Sequence, residues 1–164
     1  MVRVTNHTSA LILILMLEKL KGKESFWWPY LNILPQTYDT LYFWTPEEID
    51  ELQSSFRGEE ITNIQLARRS MFPSMLEVLR RHQYDSSALS EDLYMWAYAV
   101  VASRCFEYNA TVEHMLIPMA DLLNHHYQSP TAWKQEDDKF VMFVRGGGFE
   151  KGTQVYNHYG GDQE

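Results

Sequence analysis

A single cysteine, Cys105, stands in a chain of 164 residues. No internal disulfide can form, which fits a reducing, intracellular compartment. The sequons at Asn6 and Asn109 are then accidents of sequence. Positive charge is also scarce: 14 Lys and Arg face 22 Asp and Glu, for a net charge of -8. No basic cluster exceeds the pairs Arg68-Arg69 and Arg80-Arg81, which excludes a nucleic-acid backbone as the natural partner. A basic protein substrate would suit such a surface better. Long apolar runs are missing as well. Ala10–Leu17 (ALILILML) is far short of the roughly 20 residues that span a bilayer. Glu18-Lys19-Leu20-Lys21 follows it where a signal peptide would need small residues. No membrane partner is expected.

Chemical signatures are sparse too. Gly146-Gly147-Gly148 lacks the strand-to-helix setting and the Lys-Ser/Thr pair of a phosphate loop. No Gly-x-Ser-x-Gly elbow is present. His114, His125, His126 and His158 match no compact ligand spacing with Asp121, and adjacent histidines point apart, so no metal is expected.

What is present is a globular composition, 45% hydrophobic and 22% charged, long enough for one domain with a core. Ala10–Leu17 reads as a buried helix between Ser9 and Gly22. An aromatic, proline-broken stretch follows, and Thr45 caps a helix with Pro46, Glu47 and Glu48 in its first turn. Residues 60–83 are helical in pattern, with a kink or break expected at Pro73. Ser90 caps the clearest helix, whose stripe runs Leu93, Trp96, Ala97, Val100, Val101. That spacing puts Arg104 on the apolar side, where a guanidinium needs a carboxylate or a ligand. Asp121 is the candidate. A buried pair joining two elements and a pocket floor are both open roles for them.

In "IPMADLLNHH" (Ile117–His126), Pro118 suits the first turn of a helix. A helix there puts Asp121, Asn124 and His125 on one side. A plain helix end with a solvated His pair is the alternative. After His126 the pattern turns to strand, in Lys139–Arg145 and Thr153–Tyr159, with turns at the glycine triplet and Lys151-Gly152.

Four segments, in order, carry a family resemblance: "FWWPYLNILPQTYDTLYFWTPEEIDEL" (Phe26–Leu52), "YMWAYAVVASRCF" (Tyr94–Phe106), "LIPMADLLNHH" (Leu116–His126) and "FEKGTQVYNHYG" (Phe149–Gly160). They resemble SET-domain protein methyltransferases of the Rubisco large-subunit methyltransferase-like group. The most specific features are Ser103-Arg104, then Asp-x-x-Asn-His from Asp121, then Gly-x-x-Val-Tyr-x-x-Tyr-Gly from Gly152.

The resemblance implies an α+β fold, a SET-like β-region with a predominantly helical insert, incomplete at both ends. Residues 1–164 would be a partial SET domain, with 1–115 mainly the helical insert region and 116–164 the C-terminal SET β-region. It implies S-adenosyl-L-methionine as cofactor and a protein substrate, lysine being the default acceptor and histidine the exception. Asn124 and His125 match the pair contacting the cofactor through its adenine and backbone edges. Tyr159 matches the tyrosine facing the transfer channel. Arg104 and Asp121 match positions lining the shared cofactor and substrate pocket, and His126 has no counterpart. The chain departs from the family in lacking a Gly-rich strand segment before the first helix and in stopping at "YGGDQE". A piece of a longer enzyme and a reduced homologue are both accounts of that. Exposed sheet edges are expected, unless a partner covers the incomplete β-region. The competing function is a non-catalytic SET-like interaction module that binds through Phe26–Trp44.

Overall fold

A computed structural model describes residues 7–52, 57–108, 113–137 and 139–160. The chain divides into two compact units, Met1–Leu116 and Ile117–Glu164. The first holds helices α1 (His7–Lys21), α2 (Trp28–Leu31), α3 (Pro46–Asp50), α4 (Arg57–Arg69), α5 (Met71–Arg81) and α6 (Glu91–Arg104), then strands β1 (Phe106–Tyr108) and β2 (Glu113–Met115). The second holds a 3-10 turn (Ala120–Leu122) and strands β3 (Asn124–His125), β4 (Thr131–Glu136), β5 (Lys139–Val144) and β6 (Tyr156–Asn157). Helices predominate and strands are few, the α+β composition expected.

The first unit is organised by α6. Ser90, in extended backbone, accepts the Leu93 N–H on its hydroxyl at 3.1 Å, and Glu91 and Asp92 occupy the first turn. That cap and the acidic turn complement the unpaired N–H groups and positive end of the helix. The single stripe read from the sequence proves too narrow. Tyr94 through Val101 are all buried, because partners cover several sides. Met16 of α1 and Leu31 of α2 lie in the same core. Phe72 of α5 packs on Tyr94, ring centroids 5.6 Å apart. The Trp96 indole N–H donates to the Pro35 carbonyl at 2.9 Å, and Lys19 Nζ lies 3.8 Å from the Trp96 ring centroid. Tyr42 meets Tyr98 edge-on at 4.9 Å. Burial pushes the hydroxyls of Tyr94 and Tyr98 above the usual phenol range.

Gly22 follows α1 with φ of +55°, a backbone that glycine adopts without a Cβ penalty. Thr45 and Glu48 form a reciprocal capping box. The break in residues 60–83 falls at Ser70, not at Pro73. Pro73 sits in the first turn of α5, where a missing N–H costs nothing. Arg104 is also placed differently. It ends α6 and is partly buried, not enclosed in the core, although its Nε is away from solvent.

Each described sheet has two strands. β1 and β2 are antiparallel (Phe106 opposite Met115), as are β4 and β5 (Thr131 opposite Val144). β3 and β6 are parallel. Among the described residues no helix is long and apolar enough to cross a membrane.

Two outcomes are expected for α6. Ser90→Ala should lower stability by about 1 kcal/mol through loss of the cap. Ala97→Leu should cost about 1–3 kcal/mol by overpacking a site with no free surface. Chemical denaturation of the variants beside the parent chain measures both.

Candidate functional site

The turn into β3 is not the helix that the sequence suggested. Only Ala120–Leu122 form one 3-10 turn, and Asn124–His125 are extended. Pro118 is followed by Met119 at φ +77°, ψ −41°, a conformation costly for a residue with a Cβ. It ends any helix before it starts. The helical-face juxtaposition of Asp121, Asn124 and His125 therefore does not form. Asp121 turns inward, 9% exposed, while Asn124 and His125 stand exposed on the strand.

The parallel ladder sets Asn124 beside Tyr156 and His125 beside Asn157. The His126 N–H donates to the Asn157 carbonyl at 2.9 Å. In a parallel ladder alternate residues point their backbone groups to the same side. Asn124 and His126 thus direct theirs to β6, and the His125 N–H and C=O point to the opposite edge. This edge carries a donor and an acceptor on one residue.

Tyr159 follows β6 and returns to the same strand. Its backbone N–H donates to His125 Nδ1 at 3.1 Å, and its hydroxyl donates to the Leu123 carbonyl at 2.6 Å. An Nδ1 that accepts is unprotonated, so a neutral His125 carries its hydrogen on Nε2. The His125 ring also meets those of His158 and Tyr159, at 5.1 Å and 5.2 Å. Tyr159 remains 61% exposed.

Four of the five residues singled out in the sequence, Asp121, Asn124, His125 and Tyr159, lie in the second unit, and Arg104 lies in the first. His114 is also in the first unit, its Nδ1 2.8 Å from the Thr8 hydroxyl. Among the described residues no group of three His, Cys, Asp or Glu side chains could hold a metal ion.

No family model matches the sequence. The chain is 30% identical to a ribosomal lysine N-methyltransferase of Schizosaccharomyces pombe, over 94% of this chain and 29% of that protein. It is 31% identical to the chloroplastic [fructose-bisphosphate aldolase]-lysine N-methyltransferase of Arabidopsis thaliana, over 83% of this chain and 27% of that protein. An actin-histidine N-methyltransferase of Mus musculus is 28% identical over 84% of this chain and 25% of its own length. The chain thus spans less than a third of the curated relatives it matches. Among solved structures, Rubisco LSMT bound to AdoMet superposes with a TM-score of 0.72 at 22% identity, covering 96% of this chain and 37% of that one. The SET domain of LSMT bound to lysine and AdoHcy gives 0.73 at 22% identity, over 96% and 38%. The fold is therefore of the SET type. The sequence relatives are protein N-methyltransferases and the fold is that of a partial SET domain, consistent with the resemblance to the Rubisco large-subunit methyltransferase-like group.

Two residues near β6 escaped the sequence analysis. The hydroxyls of Ser129 and Thr131 both donate to the Tyr156 carbonyl, the former at 2.6 Å, and lie 2.5 Å from each other. Thr131 is buried and opens β4, a strand that the sequence analysis also passed over. A Ser-Pro turn (Ser129-Pro130) before Thr131 and Trp133 was the available signal. Thr131→Val should cost about 1 kcal/mol by removing one donor. Hydrogen exchange at His126 and Asn157 should quicken in that variant and stay near the parent rate in Thr131→Ser.

Proposed function

We propose that the protein is an S-adenosyl-L-methionine-dependent protein methyltransferase, with lysine the default acceptor, acting as part of a SET domain in an intracellular setting. The observation that carries this is the outward edge of β3, which no other strand pairs with among the described residues. The His125 N–H and C=O suit a nucleobase edge that offers an acceptor ring nitrogen beside a donor amine, as adenine does. The exposed Asn124 side chain, on the same strand, adds an amide donor and acceptor. The residues present therefore fit the group. The names of the relatives favour an enzyme over a non-catalytic interaction module.

When bound, the cofactor supplies an electrophilic sulfonium methyl for in-line transfer to a neutral amine. The chain's own residues bind and align. Asn124 and the His125 backbone hold the adenine end. Arg104, always charged, is assigned to cofactor and substrate binding because its guanidinium matches a carboxylate. Asp121 is assigned to the substrate, where a carboxylate favours a cationic side chain. Tyr159 is the proposed catalytic residue. Its proton is committed to the Leu123 carbonyl, which leaves the oxygen lone pairs to accept an N–H and orient the acceptor nitrogen. Such alignment is the main contribution a protein makes to a displacement of this kind. A net charge of -8 suits a basic protein substrate.

Calorimetric titration with S-adenosylhomocysteine tests the cofactor. Heat is expected, and Asn124→Ala should weaken binding. No heat at about 1 mM ligand, for parent and variant alike, would leave the likeness as one of fold only. Tyr159→Phe should lower methyl transfer to a lysine acceptor by about 10-fold to 1,000-fold. Cofactor affinity should fall far less, by about fivefold, for the loss of one hydrogen bond to Leu123. Unchanged turnover in Tyr159→Phe would refute the catalytic assignment.

A further inference from the structure

His126, the residue the family resemblance leaves unassigned, is one of three histidines held in the same way. Its Nδ1 accepts the Gln128 N–H at 3.1 Å. Its ring stacks on Tyr127, centroids 5.0 Å apart, and tilts against Tyr156 at 5.3 Å. Its own N–H and C=O bond to Asn157 and Ser129 at 2.9 Å and 3.1 Å. His125 Nδ1 accepts the Tyr159 N–H at 3.1 Å, and His158 Nδ1 accepts the Gly160 N–H at a longer 3.4 Å. Each of the three bonds to Nδ1 uses the lone pair that a proton would occupy.

We propose that His126 and His158, together with His125, are positioning residues that form a proton-sensitive latch on the β3–β6 pair. With the imidazoles neutral, the latch holds the turn after β3 and the segment after β6 in place, and so fixes the His125 backbone edge. Protonation turns each Nδ1 into a donor facing another donor. It also sets like charges on His125 and His158, whose ring centroids are 5.1 Å apart. The β3 edge loosens on acidification, and cofactor affinity falls with it. That last consequence rests on the cofactor assignment above.

Among the described residues, the rings in contact with these imidazoles are Tyr127 and Tyr156 on His126, Tyr159 on His125, and His125 and His158 on each other. None of those contacts is a carboxylate that would hold the protonated form. Asp121 lies on the turn before β3, and Glu150 and Lys151 on the turn before β6. Lys134 and Glu136, on β4, pair with each other at 2.5 Å. Acid is therefore expected to open the latch.

The test follows imidazole nitrogens and backbone amides by nuclear magnetic resonance while pH is lowered from about 8 to about 5, the range over which histidine changes charge. S-adenosylhomocysteine affinity is measured calorimetrically at the same pH values. The three rings should carry hydrogen on Nε2 at the start. The amide resonances of Gln128, Tyr159 and Gly160 should move with imidazole protonation, and affinity should fall about tenfold, as for loss of one to two hydrogen bonds. Asparagine places an acceptor oxygen near the Nδ1 position without titrating in this range. The double variant His126→Asn, His158→Asn should therefore hold its Gln128 and Gly160 amides steady and lose less affinity.

Amides that ignore imidazole protonation would overturn the latch, and the parent chain alone decides this if the double variant fails to fold. An equally steep fall in affinity in a folded double variant would overturn the assignment of His126 and His158. No binding at any pH would refute the cofactor assignment and this latch's effect on it, while the amide resonances still decide the latch itself.

Discussion

The parallel pairing of β3 with β6 is two residues long, and the candidate site in the second unit depends on it. So short a ladder has little strength of its own. It is reinforced by side chains that reach for backbone atoms: the Tyr159 hydroxyl on Leu123, His125 on the Tyr159 N–H, and Ser129 and Thr131 on the Tyr156 carbonyl. Each bond contributes little alone. Together they fix which edge of His125 faces away from the ladder, and that edge is what could recognise a nucleobase.

Parallel strands cannot be joined by a tight turn. Here the connection includes the β4–β5 hairpin, whose register is set by its antiparallel pairs and by the stacked rings of Trp133 and Phe140, 5.2 Å apart. The Arg145 N–H adds a bond to the Pro130 carbonyl at 2.8 Å, closing the hairpin beside Ser129 and Thr131. The hairpin thus does more than connect. Its first residue carries a hydroxyl that holds β6, so the hairpin and the ladder stabilise each other. In the first unit the equivalent organising element is α6, where aromatic side chains on separate elements find polar partners for their buried ends, as Trp96 does on Pro35.

Much of the helical unit was legible because its signals are local. Capping by Thr45 and Ser90 needs only residues within one turn, and glycine after α1 is a backbone preference of a single residue. The placements that went astray required knowledge of neighbours. The α6 stripe was too narrow since burial of Tyr94, Met95 and Tyr98 depends on α1, α5 and the Pro35–Tyr42 stretch. Asp121, Asn124 and His125 seemed to share a helical face, but Met119 takes a strained backbone that propensity does not anticipate. β4 went unread because its pattern, Thr131–Glu136, is half polar and becomes a strand only opposite β5.

The sequence by itself determined the α+β composition, the capped helices, the family likeness, and Asp121, Asn124, His125 and Tyr159 as candidate site residues. Order along the chain and residue type are enough for those, since caps, turns and motifs are properties of neighbouring residues. Only the tertiary structure decided that Asp121 faces inward while Asn124 and His125 face out. It alone decided that the His125 backbone points off the ladder, and that Tyr159 gives its proton to Leu123. The placement of Tyr159 rests on hydrogen bonds between residues 34 and 36 positions apart. Such pairings are chosen by the whole folded unit, because no local preference can specify which distant carbonyl a hydroxyl will find.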